Sequence, residues 1–293
     1  MDISYGSSSE LSGFWVTGED ALNFLQGQST PDLRKITFGG AVFGAFLDPK
    51  GRVIANEWFA RDQKGYLIVL AKDLREEILT RLGRYVLRSK VSFERLPEDL
   101  PLWIGHVDPS LRNEESLNSV SLESPFGRDE TGFRIHFPKG LLILGADESL
   151  FPSGSQRLHG SIERLLLVKA GIPLVLKQTK EKFIPQMLEM EWLGGLSFDK
   201  GCYVGQEIVT RTKFLGEVKR HLYRFAMDIG EAEVGADITH GTNNDVIGTV
   251  LLSAPLANGG CVGLGVIKNQ EEKNNLIRIH GIPCYYAPFE KTR

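Results

Sequence analysis

Lys200-Gly201-Cys202-Tyr203-Val204-Gly205-Gln206-Glu207 gathers a thiol, a phenol, an amide, two opposite charges and two glycines into one short segment. A thiol acts as a nucleophile or ligand through its thiolate, which nearby cations or a helix N-terminus favour. Lys200 precedes Cys202 by two positions, and Arg211 and Lys213 follow it. Glycines let a backbone approach a ligand or a neighbouring strand closely. The competing reading is a small buried Cys in a tight turn, because free Cys is among the most buried residue types.

Other chemistries are excluded by spacing. No G-x-x-x-x-G-K-[ST] run is present to cradle phosphates. Gly259-Gly260-Cys261-Val262-Gly263-Leu264-Gly265 is glycine-rich, but it lacks dinucleotide spacing and leads into no helix. The six histidines are scattered without Cys partners, so no preformed metal site is expected. Cys202, Cys261 and Cys284 are odd in number and widely spaced, which suits a reducing cytoplasm rather than a disulfide framework.

The elements that position the motif can be read in outline. The 293 residues allow one large domain or several small ones. With 42% apolar and 24% charged residues, the composition is that of a globular protein. A net charge of -3 demands neither nucleic acid nor membrane as partner. No apolar run approaches the ~20 residues that span a bilayer, and MDISYGSSSE carries no secretory signal. Thr17-Gly18-Glu19-Asp20 reads as a helix start, with Ala21, Leu22, Phe24 and Leu25 as the apolar face. Asp48-Pro49-Lys50-Gly51 is a turn between strands at 41–47 and 52–61. A second hairpin turns at Gln63-Lys64-Gly65 into a strand at 66–70. Asp73 then caps a helix with Leu74, Ile78, Leu82 and Tyr85 inward and a Glu77–Arg81 pair. Val91 and Phe93 mark another strand.

Hairpin-then-helix order recurs, with strands at 133–137 and 141–144 and a helix over 157–170 that Gly171 and Pro173 end. The expected fold class is therefore α+β, a duplicated hairpin-helix body with antiparallel sheets. From about Val218, short strands at 222–227, 246–251, 261–266 and 276–279 predict a small β-barrel. The expected division is 1–217 for the α+β region and 218–293 for the barrel.

The eight-residue motif, followed by Arg211 and the basic run to Arg220, resembles the signature of the YgfZ family, folate-binding relatives of the glycine-cleavage aminomethyltransferase (T protein). VTGEDALNFLQGQST, Ala170-Gly171-Ile172-Pro173, Ile184-Pro185-Gln186 and Gly195-Leu196-Ser197-Phe198-Asp199-Lys200 extend the resemblance over nearly the whole chain. It implies a folate-binding α+β body with a C-terminal β-barrel. It also implies tetrahydrofolate or a derivative as ligand, and a role in iron–sulfur cluster assembly or repair that supports tRNA thiomethylation, with iron–sulfur client enzymes as partners. Cys202 would then be the functional thiol with Lys200 and Arg211 favouring its thiolate, and Tyr203, Gln206 and Glu207 would shape the site.

Departures from the T protein bear on activity. Its folate-assisting aspartate corresponds to Asn56, and an amide cannot take up a proton as a carboxylate does. Glu57 is adjacent, but a one-residue shift along a strand points to the opposite face. The pterin-engaging acid of the T protein's Leu-Glu-Ala-Gly corresponds to Lys169. If a folate cavity persists, Asn56 and Lys169 are its candidate altered contacts. An acidic position of the T-protein motif is Cys202 here, a poor cap for a helix start. Arg211, Lys213, Lys219, Arg220, His221 and Arg224, against the single acid Glu217, form a solvated face or a rim for an anion. That anion would be a folate's glutamate tail or an RNA backbone. Two alternatives to the accessory role stay open: a folate-dependent aminomethyltransferase or demethylase-like enzyme, and a module binding tRNA directly through Arg211 to Arg224.

Overall fold

The computed structural model describes residues 3–107, 133–136, 141–145, 154, 156–158, 162–240, 245–269 and 276–288. Strands β1 (Ile3–Ser8) and β2 (Leu11–Thr17) are consecutive but enter different sheets. β2 joins β3 (Ala41–Leu47), β4 (Val53–Arg61), β5 (Tyr66–Ala71) and β6 (Ser92–Arg95) in an antiparallel sheet of order β3-β4-β5-β2-β6. The 48–51 turn forms as its sequence predicts: Gly51 has φ 72° and its N–H bonds the Asp48 carbonyl at 3.0 Å. The inner strands are buried on both faces, which is why β5 reads as a continuous apolar run rather than an alternation. Phe43 packs on Trp58 on one side of β4, and Phe46 on Phe59 on the other.

Helix α1 (Ala21–Gln28) turns its Ala21, Phe24 and Leu25 into this core. The next helix, α2 (Arg75–Val86), is preceded by a turn of 3-10 helix over Lys72–Leu74, and three expectations for it change. Asp73 caps nothing in α2; its carboxylate accepts from the Lys177 amide 104 positions on. Glu77 pairs with Lys180 at 2.6 Å, while Arg81 donates to the Leu47 carbonyl and stacks over Tyr85, which is partly solvent-exposed. Tertiary partners outcompete the weak i,i+4 pair.

The second sheet has the order β10-β1-β7-β9-β8, using β7 (Leu102–Val107), β8 (Phe133–His136), β9 (Leu141–Gly145) and β10 (Gln156–Arg157). The expected turn at 138–140 lies outside the described residues. Helix α3 (Glu163–Ala170) is shorter than the 157–170 periodicity predicts. Its expected first residue, Arg157, instead belongs to β10, which pairs in parallel with β1. Gly171 ends α3 in the left-handed conformation at φ 72°.

Helix α4 (Gln206–Leu215) leads into the barrel. Strands β11 (Arg220–Met227), β12 (Asp237–His240), β13 (Asp245–Pro255), β14 (Cys261–Lys268), β15 (Leu276–Ile279) and β16 (Ile282–Pro288) close in the order β11-β14-β13-β12-β15-β16. Pairing of β16 with β11 completes the ring and removes both edges. Sequence periodicity marks four of these six strands; β12 and β16 are additional. Leu222, Leu251, Leu252, Leu264 and Val266 of the barrel share one apolar core with Leu166 and Leu167 of α3.

The start of α4 presses on the β3–β4 turn. Gly205 has φ 81°, and a Cβ there would lie 2.6 Å from the Asp48 carbonyl oxygen. We expect Gly205→Ala to lower stability by about 2–4 kcal/mol through backbone strain and this overlap. The shift in urea midpoint at constant m-value measures it. A change below about 0.5 kcal/mol, the range of an ordinary surface substitution, would show that the contact is not made.

Candidate functional site

Lys200 governs the placement of the motif. Its side chain enters the protein, 6% exposed, and Nζ donates to the carbonyls of Ser29 and Pro31 at 2.8 Å each. The Tyr203 ring lies 4.9 Å from Nζ, offering its π face to the remaining side of the ammonium. Between these carbonyls, the Thr30 carbonyl accepts from Ser197 N–H at 3.1 Å. Three successive carbonyls thus face the segment that leads into the motif. Thr30 reinforces the seam, its hydroxyl donating to the Gly195 carbonyl at 2.6 Å and accepting from Ala45 N–H. Past the thiol, Val204 N–H bonds the Gly27 carbonyl at 3.2 Å. Burial pushes the Lys200 ammonium down to about 7, with Arg34 adding to the fall and Asp32 opposing it. Asp32 itself is held well below the usual carboxylate range by the side-chain hydrogen bond from Arg34.

Gly205 is the residue that caps α4, so Cys202 lies outside the helix, three residues before the cap. The cap-quality argument for a chemical role at Cys202 therefore does not apply. Exposure supplies a different one: Cys202 is exposed, whereas Cys261 and Cys284 are buried in the barrel. Burial pushes the Cys284 thiol up to about 12 and raises that of Cys261. Cys202 borders an open groove of about 620 Å³ with Tyr203, Gln206, Glu207, Thr210, Arg211 and Leu215. Gln206 Oε1 accepts from the Tyr203 amide, closing the turn before α4. The Tyr203 hydroxyl is buried without a hydrogen-bond partner, and burial raises it to about 12.

The basic run does not form one continuous patch. Lys213 pairs with Glu191, His221 Nδ1 lies 2.6 Å from Glu189 Oε1, and Arg224 donates to the Val168 and Lys169 carbonyls. Arg211 and Lys219 are exposed and make no ion pair among the described residues.

Asn56 and Lys169 do not line the groove. Asn56 is sealed in β4: its Nδ2 donates to the Pro173 carbonyl at 2.9 Å, and Oδ1 accepts from Val175 N–H at 2.6 Å. A carboxylate could accept from Val175 but could not donate to Pro173. The amide is thus fitted to a backbone staple between β4 and the segment after α3, with both of its polar atoms engaged there. Lys169 is exposed on α3. Glu57, on the opposite face of β4, is fully buried with both carboxyl oxygens unpartnered. Burial raises its protonation range well above 4.5, against a weaker opposing pull from Arg81.

No family model matches the chain. The tRNA-modifying proteins YgfZ of Escherichia fergusonii and of Shigella boydii serotype 18 are each 30% identical over 281 residues, spanning 90% of this chain and 85% of the relative. The chain belongs to the YgfZ family. Its fold is shared with the glycine cleavage system aminomethyltransferase T of Bartonella henselae, at TM-score 0.72 and 13% identity over 99% of this chain and 86% of that one. The family assignment and the α+β body with its closed barrel agree with the sequence reading. Among the described residues no three His, Cys, Asp or Glu side chains converge as a metal site would need, and no helix is long and apolar enough to cross a membrane.

The residue types of Gly27, Ser29 and Pro31 do not announce the cradle they form. Carbonyl oxygens have no residue signature. Glu57 provides a test of the buried polar layer. Its raised folded-state pKa means that stability is fully present below about 4.5 and falls as pH rises through the higher folded value. Glu57→Gln should flatten that decline, so that its stability relative to wild type increases between pH 5 and pH 8. Parallel unfolding curves across that range would show that Glu57 is not buried as an acid.

Proposed function

We propose that this chain is a reduced-folate-binding accessory protein that supports iron–sulfur cluster assembly or repair in client enzymes, and through them tRNA thiomethylation. The observation that carries this reading is the Cys202 thiol: exposed, bordering a groove with Arg211, and borne on a loop anchored on both sides. The relatives named tRNA-modifying proteins supply the process, and the aminomethyltransferase-like fold supplies the folate expectation. The Tyr203 hydroxyl, on a residue that lines the groove, is a buried polar atom without a hydrogen-bond partner. Asn56 and Lys169 support the altered-contact reading less, since Asn56 is engaged on both sides. The same amide argues against aminomethyl transfer, because the position offers no carboxylate. Direct tRNA binding has Arg211, Lys219 and the half-buried Arg220 as support in the basic run, three cations there that make no ion pair among the described residues. The expected setting is the cytoplasm, where free thiols persist.

Complementation of a deletion strain tests the thiol. Cys202→Ser should fold normally yet reduce tRNA thiomethylation and iron–sulfur enzyme activity several-fold. Full complementation would remove the thiol from the function. Calorimetric titration tests the ligand separately: tetrahydrofolate should bind with micromolar to sub-millimolar affinity, about -5 to -8 kcal/mol. No heat and no thermal protection at millimolar ligand would remove folate. Conversion of an aminomethylated carrier protein to methylene-tetrahydrofolate would instead favour the enzyme alternative.

A further inference from the structure

Lys200 stands two residues from the thiol, yet its ammonium is directed elsewhere. Two of its N–H bonds end on the Ser29 and Pro31 carbonyls, and its remaining side meets the Tyr203 ring. We propose that Lys200 is a positioning residue for Cys202, and that Arg211 is the cation that acts on the charge of the thiol. This division of labour rests on the reading of Cys202 as the functional thiol.

Three observations carry it. First, the loop is anchored at residue 200 by Lys200 and at residue 204 by the bond from Val204 N–H to Gly27. Cys202 lies midway between these anchors. Gly201, its neighbour, has nothing within 4 Å of where a Cβ would be, so packing at that position does not hold the loop. Without the Lys200 clamp, the nearest anchors on the N-terminal side would be the Ser197 amide and the Gly195 carbonyl, five and seven residues before the thiol. Second, the receiving carbonyls are rigid. Ser29 N–H and hydroxyl both bond the Leu25 carbonyl, and Thr30 N–H bonds Ala45. The clamp therefore transmits the position of α1 and β3 to the thiol loop. Third, the two cations differ in environment. Lys200 is buried, and burial weakens its hold on a proton near neutral pH, so it is a poor source of fixed charge. Arg211 lines the same groove as Cys202, is exposed, and has no ion pair among the described residues. A guanidinium is a fixed, delocalised charge. Glu207, one helical turn earlier in the same groove, is the one acid there and opposes it.

The two tasks separate experimentally in the full-length protein. Iodoacetamide labelling of Cys202 is followed against pH by mass spectrometry for wild type, Lys200→Met and Arg211→Gln, alongside hydrogen exchange over residues 199–205. Arg211→Gln should move the labelling midpoint upward and slow labelling at pH 7 by about 3–10-fold, because a neighbouring cation favours the thiolate. Lys200→Met should leave the midpoint within about 0.2 unit while exchange over 199–205 rises about tenfold or more, as expected for a locally released loop. An upward midpoint shift in Lys200→Met equal to that of Arg211→Gln would overturn the proposal, as would unchanged exchange. Should Lys200→Met fail to fold, competitive acetylation of the wild-type protein decides. Lys200 should be among the slowest lysines to react, and a rate equal to that of exposed Lys219 would overturn the clamp. Complementation separates the layers: full activity of Cys202→Ser refutes the functional thiol without touching the labelling result. Full activity of Lys200→Met beside an inactive Cys202→Ser refutes positioning alone.

Discussion

One buried ammonium, held by two backbone carbonyls and a phenol ring, joins the two stretches of chain on which the site depends. Residues 27–31 lie at the end of α1, and residues 195–204 precede α4, about 170 positions away. A lysine suits this task because its stem spans apolar surroundings while its head offers three donors. Removing those donors would leave two carbonyls buried without partners, each a cost of about 1–3 kcal/mol. The charge itself is expensive to bury, and the lowered proton affinity of Lys200 expresses that cost.

Asn56 and Glu57 show how one strand assigns opposite fates to neighbouring polar residues. Asn56 faces a backbone segment that requires one donor and one acceptor, and an amide meets both. Glu57 faces apolar packing and remains an acid without partners. The carboxyl group is thus present in the chain but stands on the face away from the Pro173–Val175 segment. This alternation decides which of the two neighbouring side chains meets that segment.

The three thiols divide in the same way. Cys261 lies beside Met227 in the barrel core, with 3.6 Å between the sulfurs, and Cys284 is wholly buried. Both act as small apolar side chains. Cys202 is carried by a loop whose backbone is tied down while its side chain stays at the surface.

Much of this was legible in the amino-acid order. Turn chemistry placed the 48–51 hairpin, apolar periodicity placed α1 and α2, and glycine and proline ended α3 where they stand. Those signals are local, and local backbone preference decides them. The motif likewise announced itself through residue types alone. The tasks within it were decided only by tertiary structure. Nothing near Lys200 in the chain shows that its charge turns inward, because its partners are carbonyls of distant residues and every residue carries a carbonyl. Asp73 left its own helix to bond Lys177, and Glu77 left Arg81 for Lys180, since distant groups fixed by packing offered better partners than solvated neighbours. Sequence determined which groups were available; the enclosure of the folded chain determined which of them could remain free to react.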